Sequence, residues 1–166
     1  PWNMDKRVIT DDELVRRNNW QSKFMPSGAF VAGRVDDTHW LSFGTPDILP
    51  ILYSKQPVLM TSNSAEAIIR IGSIEPNNGS EIKQLNWSTI PANHDIKVRM
   101  SGLVWPEASE RIANSAYLTR EQIGNGQLIL FSGQPNFRGS TRGTSRLWLN
   151  AVVYGAGLGT TPRINL

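Results

Sequence analysis

The chain has 166 residues, a net charge of +3 and no cysteine. The absence of cysteine excludes disulfides, thiolate nucleophiles and cysteine-based zinc sites. The length fits one domain, and a domain of this size buries roughly 70% of the surface its unfolded chain exposes, so it needs no covalent staple.

Apolar residues never run long enough for a helical membrane span, and no signal peptide is visible. The chain opens at Pro1 rather than Met, which suggests a processed or excised segment. Its charge is uneven. Residues 1–90 hold nine Lys or Arg against ten Asp or Glu, and residues 91–166 hold eight against four. Arg138, Arg142, Arg146 and Arg163 follow Glu121 with no acid among them. Such a patch either faces phosphate or an acidic partner, or is a solvated, internally paired surface.

Residues 1–9 read as an extended leader. Thr10-Asp11-Asp12-Glu13 is a capping-box signature and starts a short helix through Arg17 or Asn18. Leu14 alone gives that helix little apolar face. Ser27 to Val35 reads as a strand, and Asp36-Asp37-Thr38 turns the chain. His39 to Gly44 reads as a compact, half-buried segment. Two short strands are expected at Ile51–Tyr53 and Val58–Met60, and another at Glu66–Ile71, where β-branched residues dominate.

Gly72 to Asn93 is rich in Ser, Asn, Gly and Pro and reads as the least structured stretch. Asn78-Gly79-Ser80 and Asn86-Trp87-Ser88 are formal glycosylation sequons. Trp87 is expected to anchor this loop to the body. Ile96 to Leu103 alternates like a strand with one polar side. Pro106 opens a helix ending near Asn114. Ala116–Ile123 and Gln127–Ser132, joined by Gly124-Asn125-Gly126, form an antiparallel hairpin.

Thr144 to Tyr154 is the strongest helix. Leu147, Ala151 and Tyr154 make one apolar stripe and Trp148 with Val152 a second, while Leu149 and Val153 fill more of the circle. A helix apolar on so many sides is expected to lie between a sheet and another element, with Trp148 in the core. Gly155 and Gly157 are expected to stop it. Thr160 to Leu166 reads as an extended tail. Apolar strand, polar loop and apolar helix, from Gly126 to Leu158, give an α/β layer.

Catalytic signals are weak. His39 and His94 are too far apart in sequence for a zinc motif, and each reads as a structural loop residue. Ser132 follows an apolar strand but lacks the nucleophile-elbow pattern. Asp36, Asp37, Asp47 and Asp95 read as turn residues. Arg138, Ser140, Thr141 and Arg142 lie in a glycine- and hydroxyl-rich approach to the last helix, where free amides suit an anion. The structural use of that loop is as good: Gly139 and Gly143 permit close approach to the sheet, Thr141 or Thr144 caps the helix, and Arg138 cross-links the loop through carbonyls. The six tryptophans lack the basic–aromatic interleaving of a nucleic-acid surface. Trp2 and Trp20 are candidate interface residues.

The phrases GNGQLILFSGQPNFRGSTRGTSRLWLNAVVYG (124–155), PSGAFVAGRVDDTHWLSFG (26–44) and MSGLVWPEASERIANSAYLTREQIGNG (100–126) resemble the C-terminal end of large bacterial zinc carboxypeptidase-like proteins of the M14 family. The resemblance implies an α/β fold with a partial flavodoxin-like, class I glutamine amidotransferase-like sheet, flanking helices and a β-rich insertion. It implies residues 1–25 as a leader with a short helix, 26–158 as one α/β domain or the second half of a larger one, and 159–166 as a tail. A parallel sheet lacking its early strands would expose an edge.

No residue here matches the M14 zinc ligands, so zinc would belong to a separate peptidase domain and this segment would carry no cofactor. The amidotransferase nucleophile is cysteine, which the chain lacks. Trp40 stands where the family pattern has proline. The implied function is a non-catalytic accessory domain of a periplasmic or secreted metallopeptidase. It would act in protein association or substrate positioning, with the remainder of the parent polypeptide or a second copy as partner. The alternative is an independent anion- or carbohydrate-binding module, or a hydrolase, using the 133–144 loop.

Overall fold

The computed structural model describes residues 10–61, 64–85 and 88–158. The leader, the tail, Trp2, Trp87 and Arg163 lie outside the described residues. Among the described residues the elements are α1 (Asp11–Ser22), β1 (Ser27–Val35), β2 (Ile48–Ser54), β3 (Ala65–Ile71), β4 (Ser73–Pro76), β5 (Lys83–Leu85), β6 (Ser88–Ile90), β7 (His94–Lys97), β8 (Arg99–Ser101), α2 (Pro106–Ile112), β9 (Ala116–Ile123), β10 (Gly126–Phe131) and α3 (Arg142–Leu158). Short 3-10 turns lie at Trp40–Ser42 and Phe137–Gly139.

The main sheet runs β10-β9-β3-β1-β2, with β8 also paired to β1. It curls into a half-barrel that does not close, and three helices flank it. Every pairing among the described strands is antiparallel. The α/β class therefore holds, but the strands do not pair as in a flavodoxin-like sheet, where they are parallel. The connections explain this. β9 returns as β10 through Gly124 and Asn125 alone, with Gly124 at φ +58. Parallel neighbours would need a long crossover there.

Several local expectations change once packing is added. α1 extends to Ser22, past Asn18. Its cap is as read: Thr10 Oγ1 accepts from the Glu13 amide at 3.2 Å. The extra length is held by aromatic contacts, since Trp20 meets Phe24 edge-on at 4.8 Å and Phe24 meets Trp105 at 6.3 Å. Val58–Met60 is not a strand; only Leu59 bridges, to Ala116. The stretch read as least structured carries β4, β5 and β6, with β4 paired to β7 and β5 to β6. Backbone pairing within this insertion supplies the order that its composition does not advertise. The single strand expected at Ile96–Leu103 divides into β7 and β8, which serve different sheets.

The core lies inside the curl. Val31, Ile51, Ile69, Ile71, Ile112, Leu118 and Leu147 are all fully buried. They come from four strands, α2 and α3. No helix among the described residues is long and apolar enough to cross a membrane.

Candidate interaction surface

α3 touches the sheet at both of its borders. Near its start, Gly143 lies so close to Leu49 of β2 that a Cβ there would clash with the Leu49 methyl group. Near its end, Gln127 of β10 donates through Nε2 to the Gly155 carbonyl at 2.7 Å. β2 and β10 are the two edge strands, so the helix ties one border of the sheet to the other. Buried Leu147 contributes the apolar part of this docking; truncating such a side chain costs about 2–5 kcal/mol.

Polar anchors fix the helix's rotation. Asn150 is buried, and its Nδ2 donates to the carbonyls of Leu41 at 2.8 Å and Phe43 at 2.9 Å. Those carbonyls belong to the turn held by His39, whose Nδ1 accepts from the Leu41 amide at 3.1 Å. His39 thus has the structural turn role read from sequence. Thr144 Oγ1 donates to the Pro135 carbonyl at 2.6 Å and also bonds the Thr141 hydroxyl. Arg146 Nε donates to the Phe43 carbonyl at 3.3 Å.

With that rotation set, the opposite side of α3 faces outward, and it is apolar. Trp148, Leu149, Val152 and Val153 are 40%, 46%, 60% and 65% exposed. The expected sandwich is absent among the described residues, and Trp148 is not a core residue. Only the side carrying Leu147, Asn150 and Gly155 is covered. The physical reason is that one docking stripe suffices to seat a helix, and the other apolar positions then have no sheet to meet. Gly155 does not stop the helix. Its carbonyl is one of the last-turn groups without an intrahelical donor, and Gln127 supplies one.

The residues singled out from sequence are not brought together. Trp20 is half-buried in the aromatic contact with Phe24 and sits on α1. Arg138 lies over the Phe137 ring, 5.2 Å from its centroid, with φ +49, and among the described residues it makes no bond to a loop carbonyl. Ser140 and Arg142 are exposed, whereas Thr141 is buried. Gly139 is a turn residue at φ +63 with open space around its missing Cβ, so it makes no close approach, in contrast to Gly143. Beside this loop is a cleft of 420 Å³ lined by Gly28, Leu52, Ser54, Gln56, Gly133, Gln134 and Phe137. Among the described residues, its walls carry no charge.

The border strand beside α3 completes the surface. β10 has the sequence Gly-Gln-Leu-Ile-Leu-Phe, and Leu128 and Leu130 are exposed. It lacks the Lys, Pro or charge with which edge strands discourage pairing. β2, at the other border, carries Pro50. The uncharged run was visible in the sequence, but which strand forms the border was not. No group of His, Asp and Glu suited to a metal occurs among the described residues.

Comparisons of the chain with models of protein families, with curated proteins and with solved structures find no match.

Proposed function

We propose that this chain is a non-catalytic accessory domain that works by associating with a second copy of itself. In this reading its parent is a bacterial metallopeptidase resembling the M14 carboxypeptidases, periplasmic or secreted, with zinc confined to a separate peptidase domain. The observation that supports association is the outer face of α3. Trp148, Leu149, Val152 and Val153 stand in water on a helix already anchored by its other side. Burying one such side chain fully is worth about 1.5–3 kcal/mol. These four side chains are uncharged, and Arg146, one turn before Leu149, is held by the Phe43 carbonyl. A distant flavodoxin-like kinship belongs to the same proposal, and the antiparallel pairings weigh against it.

The test is sedimentation of the wild type and Val152→Glu over a wide concentration range. The wild type self-associates, and Val152→Glu stays monomeric with unchanged circular dichroism. A wild type that remains monomeric throughout, or a variant that associates equally well, overturns the reading.

A second reading is supported by the uncharged cleft beside the 133–144 loop. Its amides, the Ser54 hydroxyl and the exposed Phe137 ring suit a neutral carbohydrate better than an anion. Chemical-shift changes at Gln134 and Phe137 on titration with neutral oligosaccharides would support it; their absence removes it.

A further inference from the structure

We infer that the second copy adds its own β10 to the free border of the sheet, antiparallel, about a two-fold axis through Ile129. This rests on the self-association reading above and adds to the α3 face a second contact, at β10, with a defined register.

The phase of the hairpin decides which backbone groups are free. The Ser132 amide donates to the Tyr117 carbonyl at 2.8 Å. In the same register Leu118 stands opposite Phe131, Thr119 opposite Leu130 and Ile123 opposite Gly126. Hydrogen-bonded and non-bonded pairs alternate along an antiparallel ladder. Leu130, Leu128 and Gly126 therefore turn their N–H and C=O groups toward β9. Phe131, Ile129 and Gln127 turn theirs outward, where they have no backbone partner among the described residues.

Those three residues are symmetric about Ile129. A two-fold axis there sets Ile129 opposite Ile129 of the second copy, and Gln127 opposite its Phe131. Each pair exchanges both N–H···O bonds, so every outward group of the strand is satisfied at once. β10 has no charged residue, and self-pairing sets no like charges opposite each other. The operation forms one continuous sheet with both α3 helices on the same face, because Gln127 and Gly155 place α3 over β10. On the other face, Leu128 and Leu130 now line a shallow groove with Leu59 and Met60. In the paired sheet, Leu128 lies directly opposite Leu130 of the second copy.

That last pair gives a test specific to the register. Leu128 and Leu130 are a non-hydrogen-bonded pair across the axis, with Cα atoms about 4.5 Å apart, which a disulfide can span. The chain has no other cysteine to interfere. Mixing Leu128→Cys with Leu130→Cys under mild oxidation yields a crosslinked heterodimer, and either variant alone crosslinks far less. In parallel, Leu128→Lys with Leu130→Lys weakens association by about tenfold or more, and Leu128→Lys with Leu130→Glu restores it. Equal crosslinking by single variants, or indifference to the Lys/Lys pair, overturns the register. If Val152→Glu still abolishes association in that case, the register is wrong while self-association through α3 stands.

Discussion

Gln127 holds two elements at once: its Nε2 donates to the Gly155 carbonyl of α3 at 2.7 Å, and its Oε1 accepts from Arg120 Nε of β9 at 3.0 Å. One amide therefore joins the end of the helix to the border of the sheet. It also lets a helix with two glycines near its end continue to Leu158.

Gly155→Ala should stabilise the protein by about 0.5–1 kcal/mol, because Ala relieves the entropic cost of Gly within a helix. A Cβ at this position would meet Gln127 Nε2 at 3.7 Å and Ile129 Cδ1 at 3.9 Å, which are ordinary contacts. Urea unfolding measures the change in midpoint. A loss of stability would mean that the last turn of α3 is not helical in solution.

Asn150→Leu should cost about 1–3 kcal/mol. The side chain is buried, and its amide serves two carbonyls, those of Leu41 and Phe43. Leucine matches the volume but leaves the buried Leu41 carbonyl without this donor, while the Phe43 carbonyl keeps Arg146, and an unsatisfied buried group costs about 1–3 kcal/mol. The same unfolding experiment reads this directly. A neutral result would show that water replaces the amide.

His39 should make stability fall in mild acid. Burial lowers its pKa, opposed by Glu66, whose Oε2 lies 3.6 Å from Nε2, and reinforced by Arg120. The downward direction agrees with the geometry, because Nδ1 accepts from the Leu41 amide and protonation there would break that bond. A folded pKa below the unfolded value favours the neutral ring in the native state. The contribution is complete above the unfolded value, about 6.5, and is lost as pH falls through the folded value. His39→Asn keeps an acceptor for the turn and has nothing to titrate. Its melting temperature should therefore drop less than that of the wild type between pH 7.5 and pH 5. Parallel curves for the two proteins would count against this assignment.

Legibility from sequence followed the range of the interaction involved. Thr10 capping Glu13, the Asp36 turn with Thr38, Pro106 opening a helix and the Gly124-Asn125 hairpin all depend on residues a few positions apart. Each was readable because its partners lie in the same short window. The insertion around β4 to β7 was less readable, because polar, glycine-rich segments gain order there by pairing with one another. The candidate surface was half readable. The apolar circle of α3 was plain, but its spacing led to a buried helix, with Trp148 in the core.

By itself, the sequence determined the α/β class, most element positions, the absence of cysteine chemistry and the apolar character of both β10 and α3. Composition and local periodicity carry those properties in any context. Only the tertiary structure decided that the sheet is antiparallel, that β10 is a border strand, and that Asn150 and Leu147 face inward while Trp148 and Val152 face out. Those outcomes depend on contacts between distant segments, such as Asn150 with Leu41 and Phe43, and on which carbonyls find donors once the chain has closed on itself. Apolar periodicity says that a face seeks a partner; long-range packing decides which face has found one.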